Sequence, residues 1–429
     1  MNAPALSPAL AHYRDVFDRV GPSLQGSPAG RRSSIARFLE LGFPAPREEA
    51  WKYTNLRRLE SRRFAPHVAD AGRTVVPTAL AANRIVLANG LAVGDVPSAL
   101  AGFAIRTLAH AGSQAAAERL LRPIPGGGTE RFTALNAAFS FGPLLLETQE
   151  GVQSEETLQL TLLTTGSEPA LANPRIAVKM APRSRARLLL DHADDGAHEH
   201  FTNAVLDVEL GAGAELTVYR LQRQSDRAFH IERIEARLGE GARFVLRDSQ
   251  LGGSLSRLDL NVSLDGRGAS TELTGVFLAD GSRHLDTHVL VNHRAIETTS
   301  LQDYRGIAAN RGRGVFNGKA IVHVGAQKSN ARQTNRNLLL TPGAEIDTKP
   351  DLEIYADDVQ CSHGATTGQL DPNALFYLRS RGLDESAARS ALTRAFAGSV
   401  LARVDDAMLS AHVHDELDRR LVRLLEVAA

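Results

Sequence analysis

"FTNAVLDVELGAGAELTVYRLQ" (residues 201–222) holds two short runs on either side of a glycine pair. In "VLDVEL" (205–210), Leu206, Val208 and Leu210 alternate with polar residues. Successive side chains of a strand point to opposite faces, so this period of two predicts a strand with one buried and one wet face. "GAGA" (211–214) follows, and then "ELTVYRL" begins a second strand. The arrangement recurs: "GEGA" (239–242) and "GRGA" (266–269) stand 28 and then 27 residues further on. The clearest preceding run is "RLDLNVSL" (257–264), where Leu258, Leu260, Val262 and Leu264 face one way and Arg257, Asp259, Asn261 and Ser263 the other. "PGAEI" (342–346) reads as a degenerate further copy. Glycines at fixed places supply turn conformations that other residues resist. Strands and tight turns repeating every roughly 20–50 residues predict a stacked β architecture, a β-helix or related solenoid, ahead of a sandwich.

Outward from this core the period becomes helical. Residues 9–20 and 31–41 carry apolar positions at helical spacing, Ile35, Phe38 and Leu39 among them, and "GFPAP" (42–46) ends the second run. "REEAWKYTNLRRL" (47–59) holds the only tryptophan, and residues 84–146 mix short apolar runs with the glycine-rich "PIPGGGT". After residue 370, Asp371 reads as an N-cap with Pro372 at the first helical position. Helices over 384–404 and 405–427 follow, the last with Met408, Leu409, Val413, Leu417 and Leu421 on its apolar positions. The expected organisation is a mixed helical region (1–150), a β-helix core (151–369) and a helical module (370–429) capping the solenoid, its apolar face either packed on that cap or open to a partner.

The chain has 429 residues, 43% hydrophobic and 23% charged, a globular composition. Basic and acidic side chains balance at 49 each, so no global field steers it to nucleic acid or anionic lipid. No basic leader and no apolar run of membrane-spanning length is seen, and a single cysteine excludes an internal disulfide; the expectation is a cytoplasmic protein.

Nucleotide motifs fall short. The Gly-x-Gly-Ala turns lead into strands, not helices, and "NGKA" (317–320) lacks the Ser or Thr and the upstream glycine of a phosphate loop, so it reads as turn structure. "DHADDGAHEH" (191–200) gathers His192, His198, His200 and four acids, but its glycine and polarity favour a solvated loop over a metal site. His284, His288 and His293 in "SRHLDTHVLVNHR" read as structural, with His284 and His288 on one strand face. Acids projecting from a β-helix also occur in polysaccharide-cleaving enzymes, a weak alternative with one Trp and six Tyr to stack on sugar.

The only cysteine lies in "DDVQCSHGATTGQLD" (357–371). If this continues the strand "LEIYA", then Asp357, Val359, Cys361 and His363 share a face, and Cys361 and His363 could approach one ion. Thiolate and imidazole suit zinc or iron–sulfur chemistry, but a closed site needs about four ligands. Either the pair is structural or another chain completes the set.

These residues also carry a resemblance. "GRGVFNGKAIVHVGAQKSNARQTNRNLLLTPGAEIDTKPDLEIYADDVQCSHGATTGQLDPNALFYLRSRGL" (312–383), the 201–222 stretch and "GFPAPREEAWKYTNLRRL" (42–59) resemble the SufB/SufD family of iron–sulfur cluster assembly scaffolds. "CSHGAT", the single cysteine and "EAWKYTNL" look like its SufD branch; the SufB branch typically carries "HEAT", with its glutamate where Gly364 stands. The resemblance implies a right-handed parallel β-helix with helical N- and C-terminal regions. It implies pairing with SufB through the C-terminal part of the β-helix and docking of the SufC ATPase on the C-terminal helices. It further implies a transient iron–sulfur cluster built at the SufB interface, with His363 and the nearby Cys361 as metal-site residues and no active site in this chain alone. A flavin is associated with such complexes, but no motif for it appears here. An exposed β-helix edge would also permit a homodimer.

Overall fold

The computed structural model describes residues 6–69, 74–108, 120–166 and 168–426; small parts of the two predicted helical regions and of the 84–146 segment lie outside these residues. The N-terminal region holds α1 (Pro8–Val20), α2 (Pro28–Leu41), α3 (Arg57–Glu60) and α4 (Glu130–Phe139). Its strands are β1 (Asn83–Ala88), β2 (Leu91–Ala92), β3 (Ala99–Leu100), β4 (Phe103–Thr107) and β5 (Leu144–Glu147). The solenoid begins with β6 (Gln153–Thr164), β7 (Ala170–Ala172), β8 (Arg175–Met180), β9 (Arg185–Asp194), β10 (His200–Leu210), β11 (Glu215–Gln222), β12 (Ala228–Leu238) and β13 (Arg243–Gln250). It continues through β14 (Leu255–Leu264), β15 (Ser270–Ala279), β16 (His284–His293), β17 (Thr299–Ala308), β18 (Arg313–Val322), β19 (Asn330–Leu339), β20 (Glu345–Ile354) and β21 (Gln360–Gly368). Three helices follow: α5 (Pro372–Ser380), α6 (Glu385–Leu401) and α7 (Ala407–Glu426).

From β8 onward, even-numbered strands stack parallel in one sheet, here sheet A, and odd-numbered strands in the other, sheet B. One turn carries Leu210 in sheet A onto Leu238, then Leu264, His293, Val322 and Ile354. This is the expected solenoid. Leu206, Val208 and Leu210 point inward, as do Leu258, Leu260, Val262 and Leu264, and all belong to one continuous apolar core.

The glycine repeat forms one corner. Gly213, Gly241 and Gly268 adopt φ of 64°, 60° and 68°, the left-handed region in which a Cβ is costly. Each donates its N–H to a carbonyl of the next turn: Gly213 to Glu240, Gly241 to Arg267 and Gly268 to Ile296. Arg183, Glu297 and Lys328 extend the series with φ of 58°, 60° and 60°. The corner is therefore longer than its glycines reveal. "PGAEI" is not a copy of it: it lies between β19 and β20, at the opposite corner, where Gly343 passes close to the Asn310 carbonyl. "NGKA" is not a turn but the middle of β18, where Gly318 makes room for the Gln333 amide to reach its carbonyl at 2.9 Å.

The second face of "RLDLNVSL" is dry, contrary to the alternation reading. Arg257 and Asp259 are buried because the N-terminal region lies over them. The Arg257 guanidinium stacks 3.9 Å from the Trp51 ring and pairs with Asp259 at 2.9 Å and Asp286 at 3.0 Å. Such desolvated cation–π contacts contribute about 2 kcal/mol. Trp51 donates Nε1–H to Gly128 of "PIPGGGT", and a Cβ at Gly128 would meet Trp51 and Ala50. Phe64, Phe132, Phe201 and Phe229 fill the remaining contact between the N-terminal region and sheet A.

The C-terminal helices do not cap the solenoid. The outward row of sheet B is itself apolar, with Leu189, Tyr219, Leu221, Val276, Leu278 and Ile307, and α6 and α7 cover it with Val400, Leu401, Leu409, Val413, Leu417 and Leu421. Met408 faces solvent. Asp371 and Asp384 cap α5 and α6, accepting from the N–H of Asn373 and Ala387. The last turn of the solenoid stays open.

Candidate functional site

At that open end, β20 is the last strand of sheet A and β21 the last of sheet B, each paired on one side only. "DDVQCSH" does not continue "LEIYA" as one strand. The chain leaves sheet A after Ile354, turns through Asp357 and Asp358, and enters sheet B at Gln360. The turn is held by the Lys328 N–H on the Asp358 carbonyl at 2.6 Å and by the Asp358 N–H on Gln327 at 2.9 Å. Asp357 is thereby removed from the face that Cys361 and His363 still share.

Register places Cys361 on Ala331 and His363 on Gln333. Both belong to the inward row of sheet B, but no further turn covers them. Cys361 is half-buried against Val322, Ala326, Ala356 and Val359, and burial pushes its thiol pKa up, partly offset by a backbone hydrogen bond from Ala331. His363 is exposed, and Gly364 beside it has nothing within 4 Å of a built Cβ. Two residues of strand separate the two ligand-bearing Cα atoms by roughly 6.6 Å. Among the described residues, neither joins a group of three metal-ligating side chains. Tyr355 (58% exposed), Ile354 and Val324 give this end an apolar surface, and α5, which follows β21, leaves Phe376 (74%) and Tyr377 exposed. The arrangement can offer one soft and one borderline donor to an ion held from outside, but it cannot close a coordination shell.

The histidines of "SRHLDTHVLVNHR" are structural, as expected. His284 and His288 share the outward face of β16; His284 Nε2 lies 2.8 Å from Thr54 Oγ1, and His288 lies 3.0 Å from Asp286. Burial opposes ionisation of Asp286, but His288 and Arg257 outweigh it and hold the carboxyl well below the usual range. His293 faces inward between Thr298 and Ser300, 2.8 Å from each hydroxyl.

"DHADDGAHEH" is only in part a loop. Asp191, His192 and Asp194 lie on β9 and His200 opens β10, so His192 and His200 are buried rather than solvated. His192 converges with His230 and Glu232 of β12, all three inside the solenoid. Sequence reading missed this grouping. The available signal was phase: His230 and Glu232 occupy the same alternating row as Ile234, Ala236 and Leu238.

No described helix is long and apolar enough to cross a membrane. A family profile described as "SUF system FeS cluster assembly, SufBD core domain" matches residues 162–396, running from β6 into α6. The chain is 31% identical to an iron–sulfur cluster assembly SufBD family protein of Synechocystis, over 91% of both chains. It is 28% identical to the iron–sulfur cluster assembly protein SufD of Escherichia coli over 97% of this chain and 98% of that one. It is 27% identical to the chloroplastic protein ABCI7 of Arabidopsis thaliana, over 92% and 88%. Solenoid, helical flanks and sequence thus agree, and the chain belongs to the SufBD family of iron–sulfur cluster assembly proteins.

Proposed function

We propose that this chain is a non-catalytic scaffold subunit that pairs with SufB through the open end of its solenoid and contributes His363, with Cys361 nearby, to an interfacial site where an iron–sulfur cluster is built. The observation that carries this is the position of both residues in the inward row of an uncovered last turn. In this reading a second β-helix laid against β20 and β21 would cover the apolar end and supply the missing thiolates. An exposed strand edge is a template for such pairing, and a homodimer of this chain would use the same edge. The cluster is cargo, held transiently and passed on. SufC would dock on the C-terminal helices, where α5 leaves Phe376 and Tyr377 exposed.

The test is co-purification followed by cluster loading. His363→Ala is expected to leave the complex assembled but to cut cluster formation by about tenfold or more, the scale seen when metal-site partners are removed. Cys361→Ala is expected to be milder. Full cluster formation by the His363→Ala complex would remove this histidine from the site and leave the chain a purely structural partner.

A further inference from the structure

The inside of a solenoid is normally apolar, and most of this one is. Between β9, β11, β12 and β13 it is not. His192, Arg220, His230, Glu232 and Asp248 are all at or near zero exposure. Arg220 donates to Glu232 at 2.6 Å and to Asp248 at 2.8 Å.

A chain of amides sets the protonation of His230. The Gly252 backbone N–H donates to Gln222 Oε1 at 2.8 Å, which leaves the Gln222 amide nitrogen as a donor. That nitrogen donates to Gln224 Oε1 at 3.2 Å, so Gln224 presents an acceptor. His230 Nδ1, 2.9 Å from the same oxygen, must then carry the hydrogen. In the neutral ring the lone pair is on Nε2, which faces Arg220 Nη2 at 3.2 Å and Glu232 Oε2 at 3.1 Å. A lone pair and a carboxylate oxygen at that distance repel unless a cation lies between or beside them, and the Arg220 guanidinium fills that role here, donating to both.

His192 is less well provided for. Its Nδ1 has no hydrogen-bond partner although the side chain is fully buried, and its Nε2 lies 3.2 Å from Glu232 Oε2, a contact that a proton on Nε2 would make a hydrogen bond. Buried unpartnered ring nitrogens are costly and rare. Three ligand atoms, two imidazole nitrogens and one carboxylate oxygen, therefore gather within 4.8 Å of one another. Ligands about 2.0–2.2 Å from a tetrahedral metal stand about 3.3 Å apart, close to the spacing of the two imidazole nitrogens from Glu232. Charge alone does not choose the ion: with neutral imidazoles, Glu232 and Asp248 set two negative charges against one on Arg220, a balance of −1 that a divalent ion carries to +1 and a single proton to zero.

We infer that His192, His230 and Glu232 form a buried site for a divalent transition metal ion of zinc type, separate from the cluster-building end of the solenoid. Two imidazoles and a carboxylate are a familiar donor set for such ions. Gln224 acts as the outer partner that fixes the His230 tautomer. Binding displaces the Arg220 Nη2 contact with His230 and leaves the Arg220–Asp248 pair in place. Because the site is sealed, the ion enters as the chain folds. A proton on Asp248, whose carboxyl burial pushes up, is the competing way to balance the charge.

The full chain, produced in cobalt-supplemented medium, decides between them. The expected result is about one Co2+ per chain after purification. Its visible d–d bands should lack thiolate charge transfer, persist in the Cys361→Ala/His363→Ala double variant, and vanish in Glu232→Gln and in His192→Asn. Wild-type protein without stoichiometric cobalt overturns the site, whatever the variants do. So does cobalt that survives both buried-site substitutions or disappears with the terminal pair.

Discussion

Among the imidazole side chains of one inward-facing lattice, those at two places meet opposite fates. At the middle of the solenoid, His192 and His230 are enclosed by turns above and below, and their partners come from this chain. At the open end His363 follows Gln333 in the same row, with no turn beyond it. The side-chain chemistry is similar. What differs is whether another rung follows. A solenoid thus separates metal-ligating residues that must be satisfied internally from residues left for another chain, simply by where its stacking stops.

The largest test of this contrast is stability. Glu232→Ala strips Arg220 of one buried partner, and breaking such a network costs about 3–5 kcal/mol. His363→Ala changes an exposed side chain and is expected to stay within about 0.5 kcal/mol. Denaturant unfolding of the two variants checks this, and equal losses would erase the distinction. Acid pH gives a second test. Burial lowers the His293 pKa from 6.5 to about 4, so the unfolded chain takes up a proton there that the native chain refuses. Stability should fall as pH drops from 6.5 towards 4, by up to roughly 3 kcal/mol for this group. His293→Gln should flatten that limb in unfolding curves taken across the window; an unchanged slope would show that His293 is not sealed. The smallest effect concerns the edge. Gly364→Glu meets open space, so it is expected to cost less than about 0.5 kcal/mol by thermal melting. A large loss would mean the end of the solenoid is packed more closely than its geometry indicates.

Much of the fold was legible because two periods dominate it. Alternation in "VLDVEL" and "RLDLNVSL" located inward rows, and the glycine corner located the turns. Asp371 announced its helix because capping is a local interaction. What stayed hidden depends on layers. Arg257 reads as a solvent residue until Trp51 lies on it, and no local rule brings residue 51 to residue 257. The helices over 384–427 look like an end cap until the outward row of sheet B is seen to be apolar. His192 reads as loop because glycine and acids surround it, whereas its neighbours in space arrive one turn later. Cys361 and His363 stood out by composition and resemblance, and their shared face survived even though the strand assumed to carry Asp357 with them did not.

The corner built on Arg183, Gly213, Gly241, Gly268, Glu297 and Lys328 has a further consequence. Each of these residues hands its N–H to the following turn, and the last hands-off is from Lys328 to Asp358. Every rung is bonded in the same way to its successor, so the column works as a measuring rod with divisions of about 4.8 Å. Adding or removing a whole rung would keep the bonding pattern while sliding His363 by one division relative to the helices clamped on sheet B. The number of turns between those helices and the open end is therefore a structural length, and it sets how far the terminal imidazole stands from whatever grips α6 and α7.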